Sequence, residues 1–241
     1  MTTFAVITPT VGSQYLGECI ESLKGQDCKH YIVADGANYW TSVQNIVQKH
    51  NHPSLRAIYL QENIGKAGGD WYGHRVYAAA SFLVNEDVLC YLDEDNWVNS
   101  YYIRAFEKAL HDHEWAFTLR NIHGKDGKYL CPDDCESLGL WPIYGHAQNG
   151  FHIDTSCFAI PRDIAVQIGH AWYGQYAADR QFFYNLKARF PHFACTKKHT
   201  VCYRLDGNPK SVKKEFFEAG NDEVKKTYGD SFPWHDHCPE M

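Results

Sequence analysis

The chain has 241 residues, 22% of them charged, and a formal net charge of −6. That length is ample for a buried core, and a mildly acidic chain without a basic block argues against a nucleic-acid partner. No apolar run reaches membrane-spanning length, and Phe4-Ala5-Val6-Ile7 opens a strand where a leader would stand, so a cytoplasmic chain without a transmembrane segment is expected.

In chain order the first half alternates strands and helices. Residues 4–8 read as a strand that ends in the loop Pro9-Thr10-Val11-Gly12-Ser13. Residues 15–24 follow with Leu16, Cys19, Ile20 and Leu23 at helical spacing. Residues 31–34 form a second strand, closed by Asp35-Gly36, and residues 40–50 a helix with Val43, Ile46 and Val47 on one face. A third strand is predicted over 55–60, a glycine-bearing loop over 63–69 and a long helix over 70–84. A fourth strand over 88–92, a helix over 101–111 and a fifth strand over 115–119 complete this half. The alternation predicts an α/β fold with a mostly parallel central sheet flanked by helices.

The fourth strand runs into Asp93-Glu94-Asp95-Asn96. In extended chain, alternate residues share a face, which puts Asp93 and Asp95 together and sends Glu94 to the other side. Two converging carboxylates repel unless a cation lies between them. Hard oxygen ligands suit Mg²⁺ or Mn²⁺, and these ions commonly arrive with a phosphorylated substrate. In parallel sheets ligands bind beyond the carboxyl ends of the strands. Thr8-Pro9-Thr10, Asp35-Gly36, the loop after Leu60 and Asp93/Asp95 are all predicted there, on one crevice.

The second half is less regular. Residues 121–155 are rich in Gly, Pro, Asp, His and Trp. A short strand is predicted over 157–161, helices over 162–169 and 177–190, a strand over 197–203, and two polar helices over 210–219 and 222–228. No linker or repeat appears, so one continuous domain is expected. The nine cysteines sit mostly singly in apolar runs, as reduced thiols packed like small hydrophobes. Cys131-Pro-Asp-Asp-Cys135 and His235-Asp-His237-Cys238 carry zinc-type donors, but neither has a companion pair at finger-like spacing.

Four motifs, in order, resemble the family 2 glycosyltransferases of the GT-A fold. They are Ile7-Thr8-Pro9-Thr10 with Tyr15-Leu16-x-Glu18-Cys19-Ile20-x-Ser22-Leu23-x-x-Gln26; Val33-Ala34-Asp35-Gly36; Asn63-Ile64-Gly65-Lys66-Ala67-Gly68-Gly69 with Arg75; and Tyr91-Leu92-Asp93-Glu94-Asp95. The match covers about residues 4–120. Beyond it Asp154-Thr155-Ser156 and Ala178-Asp179-Arg180-Gln181-Phe182 match more loosely. The resemblance implies a single domain over 1–241: a Rossmann-like nucleotide-sugar half to about residue 120 and an acceptor half beyond it.

It also implies site residues. Thr8, Pro9 and Thr10 line the base and ribose, Asp35 accepts a hydrogen bond from the base, and Lys66, Arg75, Asp93 and Glu94 complete the nucleotide-sugar site, with Arg75 facing the crevice. Asp95, with Asp93, holds Mn²⁺ or Mg²⁺. Asn96 stands where the family usually has a further acid, so the ligand set stays open, with His146, His152 and His199 as candidates for a third ligand. Asp179 is the implied general base of an inverting single displacement. The family often has Glu-Asp at this point, and Ala178-Asp179 keeps only the Asp. Asp154, Trp141 and Trp172, with Tyr173 and Tyr176, are candidates for sugar contacts. The segment 203–220, with Arg204, Lys210, Lys213 and Lys214, is a candidate lid over the diphosphate.

The implied donor is a nucleoside-diphosphate sugar, with UDP expected and GDP or dTDP open. The acceptor is a glycan, a lipid-linked glycan or a protein, and peripheral membrane contact is compatible with the chain. Two other classes compete. A sugar nucleotidyltransferase would carry a glycine-rich basic phosphate loop after the first strand, which Pro9-Thr10-Val11-Gly12-Ser13 lacks. A non-catalytic carbohydrate- or nucleotide-binding protein on the same fold stays open.

Overall fold

A computed structural model describes residues 1–142, 144, 150–205 and 212–235. Nine strands form one sheet in the order β3-β2-β1-β4-β8-β6-β9-β5, with β7 paired to β6. Strands β1 (Phe4–Thr10), β2 (Lys29–Asp35), β3 (Leu55–Leu60) and β4 (Val88–Tyr91) are all parallel. Helices α1 (Leu16–Ser22), α2 (Trp40–Lys49) and α3 (His74–Leu83) connect them. The alternation read from the sequence is therefore realised, and the carboxyl ends of these four strands share one edge of the sheet.

Past β4 the pairing changes. Strand β8 (Phe158–Pro161) runs antiparallel to β4 and to β6 (Trp115–His123), while β9 (Phe193–Arg204) runs parallel to β6. The short strands β5 (Trp97–Val98) and β7 (Tyr129–Pro132) pair antiparallel with β9 and β6. Neither was read from the sequence: two and four residues are too few to show a period of two. Helices α4 (Tyr102–Ala109), α5 (Arg162–Ile168), α6 (Ala178–Arg189) and α7 (Lys214–Tyr228) complete the chain.

Two boundaries differ for physical reasons. The helix expected to start at residue 70 starts at His74, because residues 63–73 fold as a loop closed by Trp71 N–H donating to Gly65 O at 2.8 Å. The two helices expected on either side of Gly220-Asn221 are the single helix α7. Gly220 is buried there, and a Cβ would come within 2.6 Å of Cys135 Sγ. Asn221 Nδ2 donates to Pro132 O at 2.8 Å. This glycine is a packing contact, not a break.

The main core is strongly aromatic. Trp172 stacks on Phe182 with centroids 4.1 Å apart and Trp115 on Phe193 at 4.2 Å, while Tyr77 and Tyr91 pack edge-on to each other and both against Trp172. A second, smaller core of Leu16, Ile20, Ile32, Ala34, Val43 and Leu55 joins α1 and α2 to the sheet. The eight described cysteines are free thiols, Cys131 and Cys135 included. Among the described residues no helix is long and apolar enough to cross a membrane.

Candidate active site

A cleft of about 520 Å³ opens beyond the carboxyl ends of β1, β2 and β4. Pro9, Thr10, Asp35, Lys66, Asp93, Glu94 and Asp95 all line it, so most of the sequence-derived donor residues are brought together. Thr8 is not among them. Its side chain points into the core, where Oγ1 lies 2.9 Å from His30 Nε2. Both threonines lie on the same face of β1, but Thr8 is packed inside the sheet, while Thr10, the last residue of the strand, reaches the cleft.

The walls are held by their own carboxylates. Asp35 accepts from the amides of Ile64 and Gly65, both at 2.8 Å, and so fixes the entry of the 63–73 loop. Gly65 is required there, because a Cβ would meet Tyr72 O at 2.5 Å and Asp35 Oδ2 at 2.8 Å. Glu94, expected to point away, lines the cleft. It accepts from Thr10 Oγ1 at 2.5 Å and from the Ser13 amide at 2.9 Å, which pins the β1–α1 loop. The chain leaves extended geometry after Tyr91, so strict alternation does not reach residues 93–95. Arg75 sits behind the 63–73 loop, not in the cleft. Its guanidinium covers Trp71 at 3.9 Å and donates to Ile64 O and Ala67 O. Lys66 pairs with Asp70 at 2.7 Å on the exposed side of the loop.

Asp93 accepts from Tyr77 Oη at 2.7 Å, and its amide donates to Ser156 Oγ. Burial, reinforced by repulsion from Asp95 and Asp154, pushes the Asp93 carboxyl up to about 8. Burial and repulsion from Glu94 push Asp95 up to about 6. Among the described residues no ion pair engages either carboxylate. Two mutually repelling hard oxygen donors in an open cleft fit a divalent cation whose remaining ligands are phosphate and water. Asn96 is buried and structural: its amide group links Ser156 Oγ to the Arg204 backbone.

A smaller pocket of about 180 Å³ adjoins the cleft, and Tyr72, His74 and Tyr203 line both. It holds Asp179 at the start of α6, together with Arg120, Glu136, His152, Asp154 and Arg180. Asp179 Oδ1 accepts from the Arg180 amide at 2.8 Å, and Oδ2 lies 3.5 Å from His152 Nε2. Burial raises the Asp179 carboxyl, and the same burial pushes His152 down to about 4, leaving that ring neutral. Asp154 is committed to Arg120 Nη1 at 2.5 Å and to the Ser156 amide at 3.0 Å. Two non-glycine residues with left-handed backbone, Tyr72 (φ 53°) and Ala177 (φ 63°), both line this pocket. Such strain persists only where packing over-determines it.

The remaining candidates lie elsewhere. Trp172 is fully buried in the aromatic core, and Trp141 packs against Trp234 at 5.5 Å, so neither reaches the pockets. Tyr176 is 76% exposed and lines the smaller pocket. Arg204, a candidate lid cation, is a buried clamp: it pairs with Glu18 and donates to Asp95 O at 3.0 Å and Lys125 O at 2.9 Å. Lys214 pairs with Glu218 at 2.7 Å. His199 lines neither pocket. His146, Lys210, His237 and Cys238 lie outside the described residues. Tyr72, His74 and Tyr203 were missed by sequence reading. Only His74, next to Arg75 at the start of α3, carried a polar signal near a motif.

No family model matches the chain. A stretch of 57 residues is 40% identical to an uncharacterized protein of Haemophilus influenzae, covering 24% of this chain and 38% of that one. Among solved structures, S. aureus TarS 1–349, a glycosyltransferase, superposes with a TM-score of 0.62 at 16% identity, over 85% of this chain and 60% of TarS 1–349. Its complexes with UDP-GlcNAc and with UDP give TM-scores of 0.60 and 0.61 at 15% identity, over 96% of this chain and 67% and 66% of theirs. The chain thus spans about 60% of the first of these structures. At these identities the likeness establishes the fold, which is that of a GT-A-like glycosyltransferase.

Proposed function

We propose that the chain is a glycosyltransferase that moves a sugar from a nucleoside-diphosphate sugar, UDP-linked in the first instance, to an acceptor hydroxyl. The observation that carries this reading is the junction of two pockets. A carboxylate-edged cleft of diphosphate-sugar size adjoins a smaller pocket that ends on Asp179, and Tyr72, His74 and Tyr203 stand at the join. The TarS complexes with UDP-GlcNAc and UDP, on the same fold, favour a UDP-sugar donor.

In this reading residues 1–120 supply most of the donor wall and residues 121–241 most of the acceptor wall. Asp93 and Asp95 hold Mg²⁺ or Mn²⁺, which when bound neutralises charge on the departing diphosphate. Tyr77 orients Asp93, while Asp35 and Glu94 keep the loops of the cleft in place. The acceptor oxygen attacks the anomeric carbon from the smaller pocket as the bond to the diphosphate breaks on the far side. The hydroxyl proton passes to the Asp179 carboxylate. One displacement inverts the configuration, and no second carboxylate forms a covalent intermediate.

Thermal melting with UDP, GDP and dTDP, each with and without Mn²⁺, tests the donor site. A ligand that binds only the native state raises the midpoint by mass action. The expected result is a metal-dependent rise for one nucleotide that disappears in Asp95→Ala. No rise with any nucleotide, or a rise unchanged in Asp95→Ala, refutes the donor assignment.

A further inference from the structure

The two zinc-type segments of the sequence meet in the fold through Asp134 and His235. Asp134, in the turn after β7, His199, on β9, and His235, after α7, bring one ligand atom each to within 4.8 Å of one another. Asp134 Oδ1 lies 2.7 Å from His235 Nε2 and 3.6 Å from His199 Nε2, and the two imidazole rings are 5.3 Å apart. None of the three lines the cleft or the smaller pocket.

We propose that Asp134, His199 and His235 form a zinc site that fastens the C-terminal segment to β9 and the turn after β7. The donor chemistry selects the ion. Two imidazoles with one carboxylate suit Zn²⁺, whereas Mg²⁺ and Mn²⁺ prefer all-oxygen sites. The spacing is also suitable. Tetrahedral zinc with bonds near 2.0–2.2 Å sets its ligand atoms roughly 3.3–3.5 Å apart. The Asp134–His199 separation is already close to that, and His235 needs to withdraw by roughly 0.6 Å. His235 is one-third exposed on a terminal segment and has room to do so.

A second observation points to a ligand. His199 Nε2 is shielded from solvent and makes no hydrogen bond among the described residues, and 3.6 Å to Asp134 is too long for one. An imidazole nitrogen left so is costly unless something else takes its lone pair. A bound cation does that. Trp234 Nε1 donates to Asp134 Oδ1 at 2.7 Å and holds the carboxylate towards the histidines, the kind of outer contact that orients metal ligands. Trp234 is itself fully buried, so the segment is docked where His235 meets the other two. With three protein ligands and a partly open face, water completes the tetrahedron.

The test uses the full, tag-free chain, loaded with Zn²⁺, dialysed, and read by elemental analysis and thermal melting. Wild type and Asp95→Ala are expected to keep about one zinc per chain. His235→Ala and His199→Ala are expected to lose it. Zinc at 100-fold over its Kd is expected to raise the wild-type midpoint by about 5–10 °C, and to leave His235→Ala unmoved. His235 is the primary variant because its exposure lets the fold survive the change. Zinc retained equally in His235→Ala and His199→Ala, or lost from Asp95→Ala and kept in these two, overturns the proposal. So does a wild type that keeps none.

Discussion

Replacing Arg120 by Met should cost this protein a large part of its stability. Arg120 is 2% exposed, and each of its three nitrogens meets a different carboxylate: Nε to Asp133 at 2.7 Å, Nη1 to Asp154 at 2.5 Å and Nη2 to Glu136 at 2.6 Å. Its guanidinium also covers the Tyr203 ring at 4.3 Å. Methionine keeps much of the packing but removes the guanidinium that these three buried acids share. What remains differs by residue. Asp133 keeps the amides of Cys135, Glu136 and Ser137, Asp154 keeps the Ser156 amide, and Glu136 keeps Arg180 at 3.5 Å. Stranding charges of this kind costs about 3–5 kcal/mol, against a total stability of about 5–15 kcal/mol. For a chain of this size that is a fall of about 6–20 °C in midpoint. Urea denaturation with an unchanged m-value is the assay. Adding Asp154→Asn should restore at least about 1 kcal/mol, because Asp154 keeps the single amide. Arg120→Met within about 0.5 kcal/mol of wild type at pH 7 would refute the reasoning.

Asp179→Asn should lower kcat by about 10²–10⁴-fold while leaving the nucleotide-induced rise in midpoint intact, and an unchanged turnover removes Asp179 as the base. Because burial raises the Asp179 carboxyl and the base must be ionised, activity should fall with acid at a pH above the ordinary carboxylate value of about 4; a profile flat down to pH 4 contradicts this. Asp35→Ala should free the Ile64 and Gly65 amides, loosen the 63–73 loop and weaken nucleotide binding by about tenfold or more in calorimetry. Gly220→Ala should destabilise by about 1–3 kcal/mol in urea unfolding, although alanine is the better helix former, because its Cβ meets Cys135 Sγ at 2.6 Å.

The donor cleft was legible because its rules are local. Pro9, Thr10 and Asp35 close strands, and Asp93-Glu94-Asp95 follows one, whose hydrophobic runs are visible in the sequence, and parallel strands deliver their carboxyl ends to one edge. What failed there failed on side-chain surroundings. Thr8 and Thr10 share a face of β1, yet depth along the strand packs one against His30 inside the sheet and leaves the other at the strand end against Glu94. Arg75 reads as a free cation, but Trp71 and two loop carbonyls capture it. The smaller pocket was legible only at Asp179. Its other walls come from Tyr72 and His74, where the 63–73 loop meets α3, and from Arg120, His152 and Tyr203, far off in sequence; β6–β9 pairing brings Arg120 and Tyr203 together. Trp172 misled for the opposite reason. An aromatic residue grouped with Tyr173 and Tyr176 looks like a sugar platform, and its stacking on Phe182 depends on contacts that no local pattern encodes.

The same contrast explains why the two pockets must be rigid relative to each other. An in-line displacement requires the base and the leaving group to be held on opposite sides of one carbon, with reacting atoms near 3–3.5 Å. Here the link between the pockets is a chain of buried polar contacts. Ser156 Oγ accepts from the Asp93 amide and from Asn96 Nδ2, and the Ser156 amide donates to Asp154. Asp154 is bound in turn to Arg120. Asn96 continues the link to the Arg204 backbone, and Arg204 grips the Asp95 carbonyl. Ser156, Asn96, Asp154, Arg120 and Arg204 are buried, and each is satisfied by the next, so a shift at one end strands a polar group at the other. On that argument Ser156→Ala, remote from any acceptor, should reduce turnover more than donor affinity. An equal loss in both would place Ser156 in the donor cleft alone.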